Sequence, residues 1–238
     1  MGEKVAAQTL LTQLETVLHR LVESFWEEPY GYFTEADAVA ALDTWVARRP
    51  ELAQVYHTAD GFETSLLHRE YPTFFRFKES DPTERLTHGG DRGHYDLALI
   101  NPSYVRRYRA ETITNRNVRD RGDLSSPPLL AAVEFQLTVG AWDERRVDGI
   151  RRVLGKLGLA LESVRKSAPD TAAAYLCIFH RDAGAHPDRW DDSWPTVEKM
   201  LADAADIRSV VAVCWPKQER EPFVYYSGPW ITTGQSYM

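Results

Sequence analysis

Leu129-Leu-Ala-Ala-Val-Glu-Phe-Gln-Leu-Thr138 is an apolar run of strand length that carries a carboxylate, Glu134, in its interior. A run this short and this apolar reads as a buried strand. An ionisable group inside such a strand is costly to desolvate and is retained only with a partner or for chemistry. Upstream, Arg92-Gly-His-Tyr-Asp-Leu-Ala-Leu-Ile-Asn-Pro102 repeats the pattern, with Asp96 at the head of a strand over 94–100 and a turn signal at Asn101-Pro102. Gln136, two residues beyond Glu134, shares its strand face.

Outward from this pair the chain alternates. A helix is expected over about 143–166, where Val147, Ile150, Leu154, Leu157, Leu161 and Val164 form one stripe. A strand at 172–179, a helix near 194–205, a strand at 208–215 and a short strand at 223–226 follow. Before Asp96, residues 64–77 read as strand, with Pro72 implying an edge position or a bend, and 78–92 as a loop or hairpin connection. Residues 5–24 carry apolar positions at helical spacing and stop before an aromatic loop that begins at Phe25. Thr34 with Glu35 and Asp37 reads as the N-cap and first-turn acids of a second helix that runs to Pro50; a third short helix passes through Leu52 and Val55. The order implies an α/β protein whose central mixed β-sheet is flanked by helices, in a domain over 61–238 preceded by a helical N-terminal extension over 1–60.

Composition narrows the function classes. With 43% hydrophobic residues, seven Trp and eleven Tyr, the chain is that of an ordered globular protein. A net charge of −7 excludes a uniformly basic surface for coating nucleic acid, though not a local basic cleft. No apolar run of membrane-spanning length and no secretory leader is read, and Cys177 and Cys214 lie in apolar runs where thiols act as small hydrophobes, so a soluble cytoplasmic protein is expected. A disulfide between the two is conceivable if their strands are neighbours. The histidines lack zinc-ligand spacing, and neither a phosphate-binding Gly-rich loop nor a Gly-x-Ser-x-Gly elbow is present.

Asp96 and Glu134 on adjacent strands suit a hard divalent cation, Mg2+ or Mn2+, held by oxygen ligands. The Phe135 carbonyl adds a third ligand, and Gln136 is placed to orient water. The bland alternative is that both acids are strand-end groups neutralised by arginines such as Arg92 or Arg76.

The stretch from about 64 to 180 resembles the PD-(D/E)XK nuclease superfamily, with its restriction endonuclease-like core of helix, three strands, helix and strand. Asp96 falls on the Asp that opens the second core strand, Glu134 on the acidic position of the third, and Gln136 on the lysine position. The resemblance implies metal-dependent phosphodiester hydrolysis, of DNA above all. It makes Glu70 an auxiliary acidic ligand, His68 a neighbour on its strand face, and Lys156 a cation supplied from the following helix in place of the motif lysine. It also allows a homodimer. Because glutamine is neutral, the alternative is a catalytically silent nuclease-fold module that binds nucleic acid or a protein. Residues 103–128 read as a basic, mobile loop, and Arg106, Arg107 and Arg109, with Arg116, Arg119 and Arg121, are candidate phosphate contacts. Arg145, Arg152 and Lys156 are the corresponding candidates on the helix after Glu134.

Overall fold

A computed structural model of the chain describes residues 2–73, 76–78, 81–86, 93–114, 128–140, 142–165, 172–181, 187–215 and 221–231. The N-terminal helix α1 (Gly2–Glu27) runs past the expected stop at residue 24. Phe25 is the reason. Its ring is fully buried and lies 5.0 Å from Phe179, so the aromatic segment begins inside the last helical turn instead of after it. A 3-10 turn over Pro29–Gly31 leads to α2 (Glu35–Val46) and the single turn α3 (Pro50–Ala53).

The expected strand over 64–77 is divided. β1 (Tyr56–His57) pairs with β2 (Glu63–Thr64), β3 (Leu67–Pro72) joins the main sheet, and β4 (Arg76–Lys78) forms a hairpin with β5 (Asp81–Leu86). β3 is the edge strand and Pro72 its last residue, a position where the missing N–H costs no ladder bond.

β6 (His94–Ile100), β7 (Leu129–Val139), β8 (Ala173–Arg181), β9 (Arg208–Cys214) and β10 (Phe223–Ser227) complete a six-stranded sheet ordered β10-β9-β8-β7-β6-β3. β7, β8 and β9 are parallel, and the remaining pairs are antiparallel. The two parallel connections pass through α6 (Glu144–Arg165) and α7 (Pro187–Asp203), as parallel crossovers require. Every residue of β8 is buried, the mark of a strand covered on both faces.

Side-chain alternation fixes which helix covers which face. Val133, Phe135 and Leu137 share a face with Tyr175, Cys177 and Phe179 and look toward α1. There the buried Glu15 of α1 accepts hydrogen bonds from the Tyr175 hydroxyl at 3.0 Å and the Ile231 amide at 2.7 Å, and pairs with Arg208 at 3.1 Å. Segment 1–60, read from sequence as an extension, thus contributes to the same core as the sheet. Glu134 and Gln136 point to the opposite face, under α6.

The reading of 103–128 as a basic mobile loop is corrected for its first half, where α4 (Pro102–Arg107) and α5 (Ala110–Thr114) form. Asn101-Pro102, taken as a strand stop, is also a helix start. The Asn101 side chain accepts the Ser103 amide at 2.9 Å, and Pro102 opens the first turn where its missing donor costs nothing. Tyr104, Val105 and Ile113, few but well spaced, are buried and anchor the segment. Residues 115–127, including Arg116, Arg119 and Arg121, lie outside the described residues. Cys177 and Cys214 are buried free thiols four register positions apart on adjacent strands, so the conceivable disulfide is absent. Among the described residues no helix is long and apolar enough to cross a membrane.

Candidate functional site

Pairing between β6 and β7 ends at Leu97 and Val133, whereas β7 stays paired with β8 as far as Val139. The second half of β7 therefore has a free edge, and its buried amides need acceptors from elsewhere. Two carboxylates supply them. Asp96 Oδ2 accepts the Phe135 amide at 2.6 Å, and Glu35, in the first turn of α2, accepts the Leu137 amide. The same splaying that breaks the ladder thus gathers Asp96 and Glu35 beside Glu134.

Glu134 is 3% exposed. Lys156 of α6 reaches down to it, with Nζ 2.6 Å from Oε2 and 3.0 Å from the His94 carbonyl. The other oxygen, Oε1, is buried without a hydrogen-bond partner. Burial raises the Glu134 pKa to about 8. Lys156 opposes the shift, and the charges of Asp96 and Glu35 add to it. Contact with Lys156 favours the ionised form, but desolvation of a carboxylate with one bare oxygen outweighs it. Asp96 and Glu35 are raised as well, both mainly by burial; the charge of Glu70 acts on each, and that of Asp96 on Glu35.

Gln136 is held by its amide nitrogen, which donates to the Phe135 carbonyl at 3.0 Å and to Glu35 Oε1 at 3.3 Å. Its own carbonyl oxygen looks toward Gly149 of α6, where an added Cβ would come within 4.0 Å. The Phe135 carbonyl, the expected third ligand, already serves Gln136 and keeps one further lone pair.

Glu35, Glu70 and Asp96 line a cleft of about 400 Å³, together with Thr34, Val39 and Arg69. Glu70 enters it through an unusual backbone. Its φ is 48°, and the β3–β6 ladder passes from Arg69↔Leu97 to Tyr71↔Tyr95 without it. A non-glycine residue in this region costs on the order of 1–3 kcal/mol, so the charge at the cleft is kept at the expense of stability. Glu70→Gly should accordingly stabilise the fold by about 1 kcal/mol. That corresponds to a thermal midpoint higher by roughly 2–4 °C for a chain of this size. A lower midpoint in a calorimetric scan would show that Glu70 holds the strand by its contacts.

His68, expected to share the face of Glu70, is engaged locally instead: its Nε2 is 2.9 Å from the Ser65 carbonyl. Arg106, Arg107 and Arg109 are exposed and are not brought to the carboxylates. α4 follows Ile100, four residues and about 13 Å along β6 from Asp96. Arg145 and Arg152 are exposed on α6 in one stripe with Gly149 and Lys156, and the last two of these sit over Gln136 and Glu134. The Lys156 ammonium is inside the site and not on the solvent face. Arg92 and the side chain of Arg76, the arginines of the bland alternative, lie outside the described residues.

No family model, curated protein or solved structure matches the chain.

Sequence reasoning missed Glu35, which it treated as a first-turn acid. The signal was a surplus. Asp37 alone completes the capping, accepting the Phe33 amide at 2.8 Å and the Thr34 amide at 2.7 Å, which leaves Glu35 free for another use. A second cleft, of about 730 Å³, lies between α6 and the turn after α7, lined by Leu154, Gly158, Leu161 and Ile207; its ion pair of Arg165 and Asp206, at 2.7 Å, is exposed, and the buried carboxylates lie elsewhere.

Proposed function

We propose that the protein is a Mg2+- or Mn2+-dependent nuclease of the PD-(D/E)XK type, acting on DNA. The observation that carries this reading is Glu134: a buried carboxylate with one oxygen on Lys156 and the other without a partner, beside Asp96 and Glu35. The residues fit a hard divalent cation. Asp96 and Glu134 would hold it, with the Phe135 carbonyl, and Glu35 and Glu70 would hold its waters, since Mg2+ takes only one or two carboxylates and keeps much of its hydration. When bound, such an ion polarises a phosphoryl oxygen and makes a water more acidic.

The chain's own groups supply the rest. The free oxygen of Gln136 orients a water toward the phosphorus. Glu35, whose pKa is raised by burial, accepts a proton from that water. Lys156, whose Nζ lies 2.6 Å from Glu134 Oε2, would take the part of the missing motif lysine, and its ammonium offsets negative charge that grows on the phosphate. The scissile P–O bond breaks as the new one forms, and the leaving oxygen takes a proton from solvent water, giving a phosphate monoester and a free hydroxyl.

Incubation of the full chain with single-stranded and double-stranded DNA in Mg2+ or Mn2+, with Glu134→Ala as control, tests the reading. Cleavage lost in the variant supports it, and no cleavage by the parent overturns it. One observation favours a silent nuclease-fold module instead. Among the described residues no three His, Cys, Asp or Glu side chains converge as a ready metal cage, and Gln136 is tied to Glu35. Metal binding separates the two. With Glu134 at about 8, a cation must displace a proton near neutral pH, so calorimetry in buffers of different ionisation enthalpy should show proton release at about pH 7 that disappears above about pH 9. A silent module would show no heat of binding and no release.

A further inference from the structure

We infer that the cleft receives an unpaired nucleic-acid strand, one of whose bases stacks on Phe33 and Tyr30; the inference rests on the nuclease reading above and names its substrate class. Phe33 is 73% exposed and Tyr30 49%, yet neither ring sits on loose chain. The Phe33 amide is bonded to Asp37 in the cap of α2, and Tyr30 lies in the 3-10 turn. Beneath them the Arg181 guanidinium, itself buried, donates to the Pro29 carbonyl at 2.9 Å and lies 4.7 Å from the Tyr30 ring centre and 5.8 Å from that of Phe33. A buried cation under two exposed rings fixes their place and leaves their outer surfaces to solvent. Val139, 39% exposed and paired with Arg181, extends the same apolar rim.

Position gives the patch its occupant. Phe33 immediately precedes Thr34 and Glu35, which line the cleft. On the other side of β7, the exposed Arg145 and Arg152 share the α6 stripe of Gly149 and Lys156, which sit over Gln136 and Glu134. A strand crossing the site thus meets cations on the α6 bank and aromatic faces on the α2 bank. Phosphates suit the first, and bare base faces suit the second. A duplex hides its base faces in the stack and has nothing to offer Phe33. A net charge of −7 makes the neutral stacking contact more important, because the general field of the protein repels a polyanion.

The test is binding of the full chain, in Ca2+, to a fluorescein-labelled single-stranded oligonucleotide and to its blunt duplex, read by anisotropy. The parent should bind the single strand about tenfold or more tighter than the duplex. Phe33→Ala with Tyr30→Ala should lose about tenfold or more of the single-strand affinity and leave the duplex affinity unchanged, while Phe33→Trp keeps it. Because both rings are exposed, circular dichroism of the variants should match that of the parent. Equal affinity of parent and double variant for the single strand, preference for the duplex, or binding of neither oligonucleotide overturns the inference. Duplex cleavage indifferent to both substitutions overturns the inference alone. Ring-dependent single-strand binding without any cleavage in Mg2+ overturns the nuclease reading alone.

Discussion

Asp96→Asn should abolish metal-dependent cleavage, lowering kcat by about 10³-fold or more, roughly 4 kcal/mol of transition-state stabilisation, while the protein still folds. The two halves of this expectation come from the two oxygens of one carboxylate. Oδ2 holds the Phe135 amide at 2.6 Å and closes the free edge of β7. An asparagine oxygen can accept the same hydrogen bond, so the edge stays satisfied and no buried donor is orphaned. What asparagine cannot do is offer a negative charge to a divalent cation. Asp96→Ala, by contrast, removes both functions and should also destabilise the fold, because the Phe135 amide loses its acceptor. Thermal melts of the two variants beside a nuclease assay separate the roles. An Asp96→Asn variant that keeps cleavage near the parental rate would place the acid in the fold and not in the chemistry.

The strands were legible because their signal is local. Seven residues of β6 and eleven of β7 are apolar runs bounded by turn residues, and the long stripe of α6 is a helical period that no strand can carry. Asp96, Glu134 and Gln136 stood out for the same reason, as polar groups in runs that bury their neighbours. Glu35 did not, since its neighbour across space is Leu137, some hundred positions along the chain. Its sequence context, an acid in a first helical turn, is already explained by the helix dipole. Lys156 was legible as a lysine on a helix following the acidic strand, but its rotation toward Glu134 depends on how α6 packs against β7 and β8. The two short helices after Ile100 were hidden by a real ambiguity, because Asn-Pro serves equally as a strand stop and as the cap and first residue of a helix. Backbone geometry at Glu70 was beyond reach. Nothing in His-Arg-Glu-Tyr-Pro announces a left-handed residue, and the glycine that usually marks one is absent.

Lys156→Met should leave stability nearly intact at mildly acidic pH and lower it at alkaline pH by about 1.4 kcal/mol for each pH unit above about 8, where the parent has levelled off. The sign follows from Glu134. Its folded pKa, about 8, lies above the ordinary glutamate value of 4.5, so between these values the native state binds the proton that the unfolded chain has released. Stability therefore falls as pH rises through that window and levels off above about 8 in the parent. Without the Lys156 ammonium the folded pKa of Glu134 moves higher still, and the decline continues where the parent has levelled off. Parent and variant should thus give similar urea midpoints at about pH 6 and diverge at about pH 9. Glu134→Gln combined with Lys156→Met removes the charge as well as its partner and should recover most of the alkaline loss. That non-additivity is the signature of a coupled pair. Cleavage should behave differently, because Glu134→Gln removes a proposed metal ligand and Lys156→Met the cation proposed to face the phosphate, so the double variant and each single one should be inactive at every pH. Recovery of stability in the double variant, beside loss of cleavage by Lys156→Met alone at about pH 6 where it stays folded, would assign Lys156 to both the fold and the reaction, whereas parallel urea midpoints for parent and Lys156→Met across the whole range would mean that Glu134 is neutral in the native protein and the 2.6 Å contact is not an ion pair.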